Sequence, residues 1–101
     1  MIEDYYTRVG VINANPQILS DLGEEDRAKL KNSLTRVSEQ INGDDAALTE
    51  AIEEFITVFD QAGLGDQLGD VAKTRGLGLK QETKLPRLII NDVTIMTLKN
   101  L

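Results

Sequence analysis

The chain has no cysteine and no histidine. Without cysteine there is no disulfide and no thiol nucleophile. With histidine missing too, the usual zinc sites, the Ser-His and Cys-His nucleophile pairs and the commonest general base near neutral pH are excluded. The lack of cysteine is compatible with a reducing compartment, and a cytoplasmic location is expected. Long apolar runs are missing as well. None approaches the ~20 residues that a membrane-spanning helix needs, so no membrane partner is expected. The opening Met1-Ile2-Glu3-Asp4-Tyr5 is acidic where a secretion signal would be basic and then apolar. Aromatic residues make up only 4% of the chain, which leaves Leu, Ile, Val and Ala to fill any core.

What is present is enough for one modest core. The 101 residues fit a single domain. The apolar fraction of 41% is arranged periodically and not diluted, so a folded chain is expected. The richest stretch is 45–62, Asp-Ala-Ala-Leu-Thr-Glu-Ala-Ile-Glu-Glu-Phe-Ile-Thr-Val-Phe-Asp-Gln-Ala. Leu48, Ile52, Phe55, Phe59 and Ala62 recur at four, three, four and three and share one helix face. Ala51, Ile56 and Val58 widen that face, while Glu50, Glu53, Glu54 and Asp60 take the remaining side. Burying Leu48, Ile52, Phe55 and Phe59 contributes at most roughly 6–12 kcal/mol. This is the candidate central helix.

Its partner precedes it. In 24–42, Leu30, Leu34, Val37 and Ile41 repeat at four, three and four, and Glu24, Glu25 and Asp26 complement the helix dipole in the first turn. Gly43 suits a C-cap, and Asp44 or Asp45 an N-cap for the central helix. So short a connection predicts an antiparallel helical hairpin. Upstream, Ile2, Tyr5, Tyr6, Val9 and Ile12 have helical spacing despite Gly10. One tyrosine ring is expected on the core and the other with its hydroxyl in water, and the pair is also a candidate partner contact. Asn15 and Pro16 suit the cap and first position of a helix carrying Ile18, Leu19 and Leu22, with Gly23 ending or bending it.

After Ala62 the composition changes. Gly63, Gly65 and Gly69 punctuate Leu64, Leu68 and Val71. A short helix over about 66–75 with Gly76 as its stop is expected, followed by a turn at Gly76-Leu77-Gly78. The runs Arg87-Leu88-Ile89-Ile90 and Val93-Thr94-Ile95-Met96-Thr97-Leu98 are rich in β-branched residues and flank Asn91-Asp92. They read as a β-hairpin, the alternative being a helix over 93–98 capped by Asp92. The predicted fold is thus mainly α, a small single domain built on the helical hairpin. A helical body spans 1–75 and a basic, β-prone tail 76–101.

Charge divides along the same line. Residues 1–70 hold 15 acids and 5 bases, a net −10, whereas 71–101 hold 2 acids and 6 bases, a net +4. The two parts are expected to attract each other, and the basic part is also a candidate contact for nucleic acid or a protein partner. Its candidate residues are Lys73, Arg75, Lys80, Lys84 and Arg87.

Motifs for specific chemistry fail on their spacing. Residues 60–71 have the length of an EF-hand loop, but Ala62 and Leu64 stand where oxygen ligands belong and Val71 where a bidentate acid belongs. Gly63-Leu64-Gly65 and Gly76-Leu77-Gly78 follow no predicted strand and lead to no Lys-Ser or Lys-Thr of a phosphate loop. The paired acids Glu24–Glu25, Asp44–Asp45 and Glu53–Glu54 fall on predicted caps or solvent faces, not in the split environments that hydrolytic pairs need. The order Leu19-Ser20-Asp21-Leu22 places the acid after the serine, the reverse of the Asp-Ser-Leu of acyl carrier proteins. No catalysis, metal or cofactor is expected.

One region does resemble a known module. Leu68-Gly69-Asp70-Val71-Ala72-Lys73-Thr74-Arg75-Gly76, then Glu82-Thr83-Lys84-Leu85-Pro86-Arg87, then Thr94-Ile95-Met96-Thr97-Leu98-Lys99-Asn100-Leu101 resemble fragments of a Cro-repressor-type helix-turn-helix, as used by some antitoxins. The resemblance implies DNA contacts from Arg75, Lys80, Lys84 and Arg87. It departs where Pro86 and Leu88-Ile89-Ile90 stand in place of a polar recognition helix. The leading expectation is therefore a non-catalytic protein that binds another protein (a regulator, an inhibitor or antitoxin, or an accessory subunit) and forms a homodimer. The alternative is a DNA-binding regulator. A weaker third reading takes Glu50, Glu53, Glu54 and Asp60 as phosphate mimics.

Overall fold

Four α-helices and two 3₁₀ turns account for nearly all of residues 2–68 and 87–101, which are those that the computed structural model describes. Helix α1 spans Ile2–Ala14, a 3₁₀ turn Pro16–Asp21, α2 Glu24–Gln40, α3 Asp45–Gln61, a second 3₁₀ turn Leu64–Leu68 and α4 Arg87–Asn100. The predicted helix over 66–75 and the turn at Gly76-Leu77-Gly78 lie, but for the second 3₁₀ turn, outside the described residues.

The central helix forms where its periodicity places it. The Asp44 carboxylate accepts the backbone N–H of Ala47 at 2.7 Å, which satisfies one of the amides that a helix start leaves unpaired. Leu48, Ala51, Ile52, Phe55 and Phe59 are all buried. At the other end Gly63 has φ +82°, a left-handed conformation that side chains resist, and its N–H donates to the Asp60 carbonyl at 3.1 Å. Helix α2 contributes Leu30, Leu34 and Val37, and among the described elements its packing on α3 is the most extensive. Helix α1 closes the core with Tyr5, Val9 and Ile12. Arg8 clamps it to α3, donating to both carboxylate oxygens of Asp60 at 3.2 and 3.1 Å with its guanidinium 5.7 Å from the centre of the Phe59 ring.

Local signals were less reliable at the joints. Asn15 makes no side-chain cap bond, and the segment after it is a 3₁₀ turn that buries Ile18 and Leu19. Gly23 opens α2 as its N-cap and does not end the segment before it. Arg27 of α2 reaches back to the Leu19 carbonyl at 2.7 Å, so the carbonyls of the turn find their partner in the next helix. Gly43 is not in the left-handed region; its N–H donates to the Gln40 carbonyl at 2.9 Å.

The largest correction concerns the end of the chain. The β-hairpin expected from the runs flanking Asn91-Asp92 is not formed. Residues 87–100 are one α-helix, and Asn91-Asp92 lies inside it. Residues 76–86, the remainder of the predicted β-prone tail, lie outside the described residues. The physical reason is the small size of intrinsic preference. A β-branched residue costs at most ~0.7 kcal/mol in a helix relative to alanine, whereas burying one isoleucine gains about 1.5–3 kcal/mol. Ile90, Thr94 and Thr97 recur at four and three, are fully buried, and hold α4 against α1 and α2.

Candidate binding face

Helix α4 is fixed from its inner side by polar contacts as well as by Ile90. The buried Thr94 hydroxyl is hydrogen-bonded to the Tyr5 hydroxyl. Thr97 Oγ1 donates to the Val93 carbonyl four residues back, at 2.8 Å, so its buried oxygen is satisfied within the helix. Near the C-terminal end Asn100 Nδ2 donates to Asn13 Oδ1 at 3.0 Å. At the N-terminal end Arg87 donates to the Ile41 carbonyl at 2.6 Å and pairs with the Asp45 carboxylate. One cation thereby joins the end of α2, the start of α3 and the start of α4.

The outer side of the same helix is also apolar. Leu88 is 78% exposed, Ile89 56%, Ile95 42% and Met96 58%; these are the only large hydrophobic side chains that are exposed among the described residues. At 3.6 residues per turn, positions 88, 89, 92, 95, 96 and 99 fall on one stripe, directly opposite 90, 94 and 97. Asp92 and Lys99 are the polar members of the stripe, and both are exposed. Helix α4 is thus apolar on two sides, one of them covered by the core and one in water.

Lys73, Arg75, Lys80 and Lys84 lie outside the described residues. Arg87 is turned toward the acidic body and pairs with Asp45. Tyr5 is fully buried, with its ring edge-on to Phe55 at 5.7 Å between centres. Tyr6 is half-buried, 5.6 Å from Tyr5, and its hydroxyl is shielded from water, contrary to the wet hydroxyl expected. In the acidic row, Glu54 is paired with Arg36 and the exposed Asp60 with Arg8, which leaves Glu50 and Glu53 outside the ion pairs among the described residues. Sequence reasoning missed the stripe. A helical projection of 87–100, in place of the strand alternation, displays it.

Two contacts lead to measurable expectations. Arg87→Met removes both bonds to the helix junction and is expected to cost about 1 kcal/mol in urea unfolding. Little of that arises from the Asp45 pair, because the carboxylate is 75% exposed. The same loss should therefore persist in high salt. For Tyr5, burial pushes the phenol pKa up, and the Thr94 bond offsets this only in part. Below pH about 10 the phenol is protonated in both folded and unfolded chains. Above it the unfolded chain releases the proton while the folded chain keeps it, so stability falls as pH rises, by about 1.4 kcal/mol per pH unit. The stability of the wild type relative to Tyr5→Phe is expected to drop by about 1 kcal/mol between about pH 10 and 11, nearing that slope at the upper end. A difference independent of pH would contradict the burial.

Among the described residues no three acidic side chains converge to hold a metal ion, and no helix is long and apolar enough to cross a membrane. No protein-family model, no curated protein and no solved structure matches the chain.

Proposed function

We propose that this chain is a small non-catalytic protein that works by binding protein, presenting the outer stripe of α4. The observation that carries the reading is the gathering of Leu88, Ile89, Ile95 and Met96 on one exposed helix face. Exposed apolar residues are ordinary when scattered singly, whereas apolar side chains gathered on one face point to an interaction surface. An amphipathic helix face of this kind docks through anchors spaced by one and two turns. A regulator, an inhibitor or antitoxin, or an accessory subunit of the cytoplasm would work in this way.

The rest of the chain serves as the mount. We read α2 and α3 as an antiparallel pair. Support comes from their short connection and from the Arg36–Glu54 ion pair, whose members stand equally far on either side of Asp45. A rigid pair lets α4 keep its outer face open without needing that face for stability.

Affinity capture with wild-type bait and with Met96→Asp bait tests the reading. A protein retained by the first and lost by the second, with unchanged circular dichroism, supports it; identical profiles overturn it. The rival reading, a DNA-binding regulator of helix-turn-helix type, draws on the net +4 of residues 71–101. It predicts saturable binding to a random duplex that weakens steeply between about 50 and about 200 mM salt. The engagement of Arg87 with Asp45 and Ile41 speaks against that residue as a DNA contact.

A further inference from the structure

We infer that the occupant of the α4 stripe is a second copy of this chain, its α4 laid antiparallel across the first about a twofold axis between Ile95 and Met96. The inference rests on the reading of the stripe as a protein-binding surface and names the partner. Its basis is the order of residues along the stripe. Asp92 stands three residues before Ile95, and Lys99 three residues after Met96. Turned end for end about that axis, the stretch 92–99 meets itself with the signs opposed, while Leu88 and Ile89 reach past the end of the other helix. Each Asp92 faces the other copy's Lys99, and each Ile95 faces the other copy's Met96.

Other arrangements lose this match. A parallel pairing sets Asp92 on Asp92 and Lys99 on Lys99, and like charges in contact oppose association. Within one helix the two charges are seven residues and therefore about 10 Å apart, too far to neutralise each other. Each is left without an ion-pair partner among the described residues. Antiparallel helices also set the N-terminus of each beside the C-terminus of the other, so that their dipoles oppose. A twofold contact of this type is self-complementary and closed, the commonest form of homo-oligomer. Leu88 and Ile89 lie farther from the axis, at the rim. One short helix face offers less than the ~800 Å² per partner of a standard interface, so the expected dimer is weak, with a dissociation constant on the order of 10 μM.

Sedimentation equilibrium of the pure chain from about 1 to about 500 μM tests this. The expected result is a reversible monomer–dimer equilibrium in which Met96→Asp raises the dissociation constant at least ~10-fold. Asp92→Lys and Lys99→Asp should each weaken self-association several-fold. An equimolar mixture of the two should associate as well as the wild type, because each chain then supplies the charges that the other lacks. The chain carrying both exchanges should recover for the same reason. All of these positions are exposed, and circular dichroism confirms that the variants keep their helices. A dimer indifferent to Met96→Asp, or a mixture that associates no better than its components, overturns the inference. So does a wild type that stays monomeric throughout. In that last case the capture experiment separates the two claims: a protein lost with Met96→Asp leaves the binding reading standing, and unchanged capture removes both.

Discussion

Phe55→Ala is expected to destabilise the fold by about 3–5 kcal/mol, the range for emptying the site of a buried phenylalanine. Phe55 is fully buried at the middle of α3. Its ring meets the edge of Tyr5 from α1 and lies 6.0 Å from the centre of the Phe59 ring. With Tyr6 beside Tyr5, all four aromatic residues of the chain join in this one cluster. The surrounding groups are held by the Arg8–Asp60 clamp and the helix backbones, so the vacated space can collapse only in part. Since domains of this size are stable by only ~5–15 kcal/mol, the loss removes much of the margin. Urea unfolding gives the value. Ile56, one residue along and only half-buried, serves as the control, with Ile56→Ala expected to cost about 1 kcal/mol. Equal losses at the two positions would show that Phe55 is not at the centre of the core.

Thr94→Val is expected to cost about 1–3 kcal/mol even though the two side chains are nearly the same shape. The change strips the Tyr5 hydroxyl of its buried partner and leaves that group with neither protein nor water to bond. Tyr5→Phe removes the other half of the pair. The combined variant has no orphaned group, and it should be more stable than the sum of the single losses by about 1 kcal/mol or more. A double-mutant cycle in urea measures that coupling. Additive losses would mean that the two hydroxyls do not depend on each other. The coupling matters beyond stability, because Thr94 is the central anchor of α4 on α1 and so positions the outer stripe.

The body of the fold was legible because each signal there points one way. Leu30, Leu34 and Val37 in α2, and Leu48, Ile52, Phe55 and Phe59 in α3, repeat at helical spacing against a polar opposite side, and all of them are buried. Asp44 is the cap that its position suggests. The sequence misled where a residue answered to a distant partner. Asn15 and Pro16 take the cap and first-turn positions that their types suggest, but of a 3₁₀ turn and without a side-chain cap bond, and Arg27 from the next helix bonds the Leu19 carbonyl at its far end. Arg87 was recognised as a contact residue, but its partners, the Ile41 carbonyl and Asp45, are more than forty positions away.

Helix α4 was misread for a reason tied to the proposed function. An ordinary surface helix shows its period because its outer face is polar. In α4 the outer face carries Leu88, Ile89, Ile95 and Met96, which fill the gaps between Ile90, Val93, Thr94 and Thr97 and erase the period. What remains is two apolar runs rich in β-branched residues on either side of Asn91-Asp92, the signature of a hairpin. The feature that hid the helix is the same feature that gives it a surface to offer, in line with the tendency of local rules to fail at functional sites.

Cysteine labelling along α4 tests that two-sided helix most directly. The chain has no native thiol, so each introduced cysteine is the sole reactive group. Thr94→Cys, Ile95→Cys, Met96→Cys and Thr97→Cys would be treated with a thiol reagent at about 1 μM protein, below the concentration at which self-association covers the stripe. The predicted result is fast labelling at 95 and 96 and protection by at least an order of magnitude at 94 and 97, as their exposures of 42%, 58%, 0% and 0% require. Alternation, with 94 and 96 alike and opposed to 95 and 97, would mean a strand and would contradict both the helix and the binding face built on it.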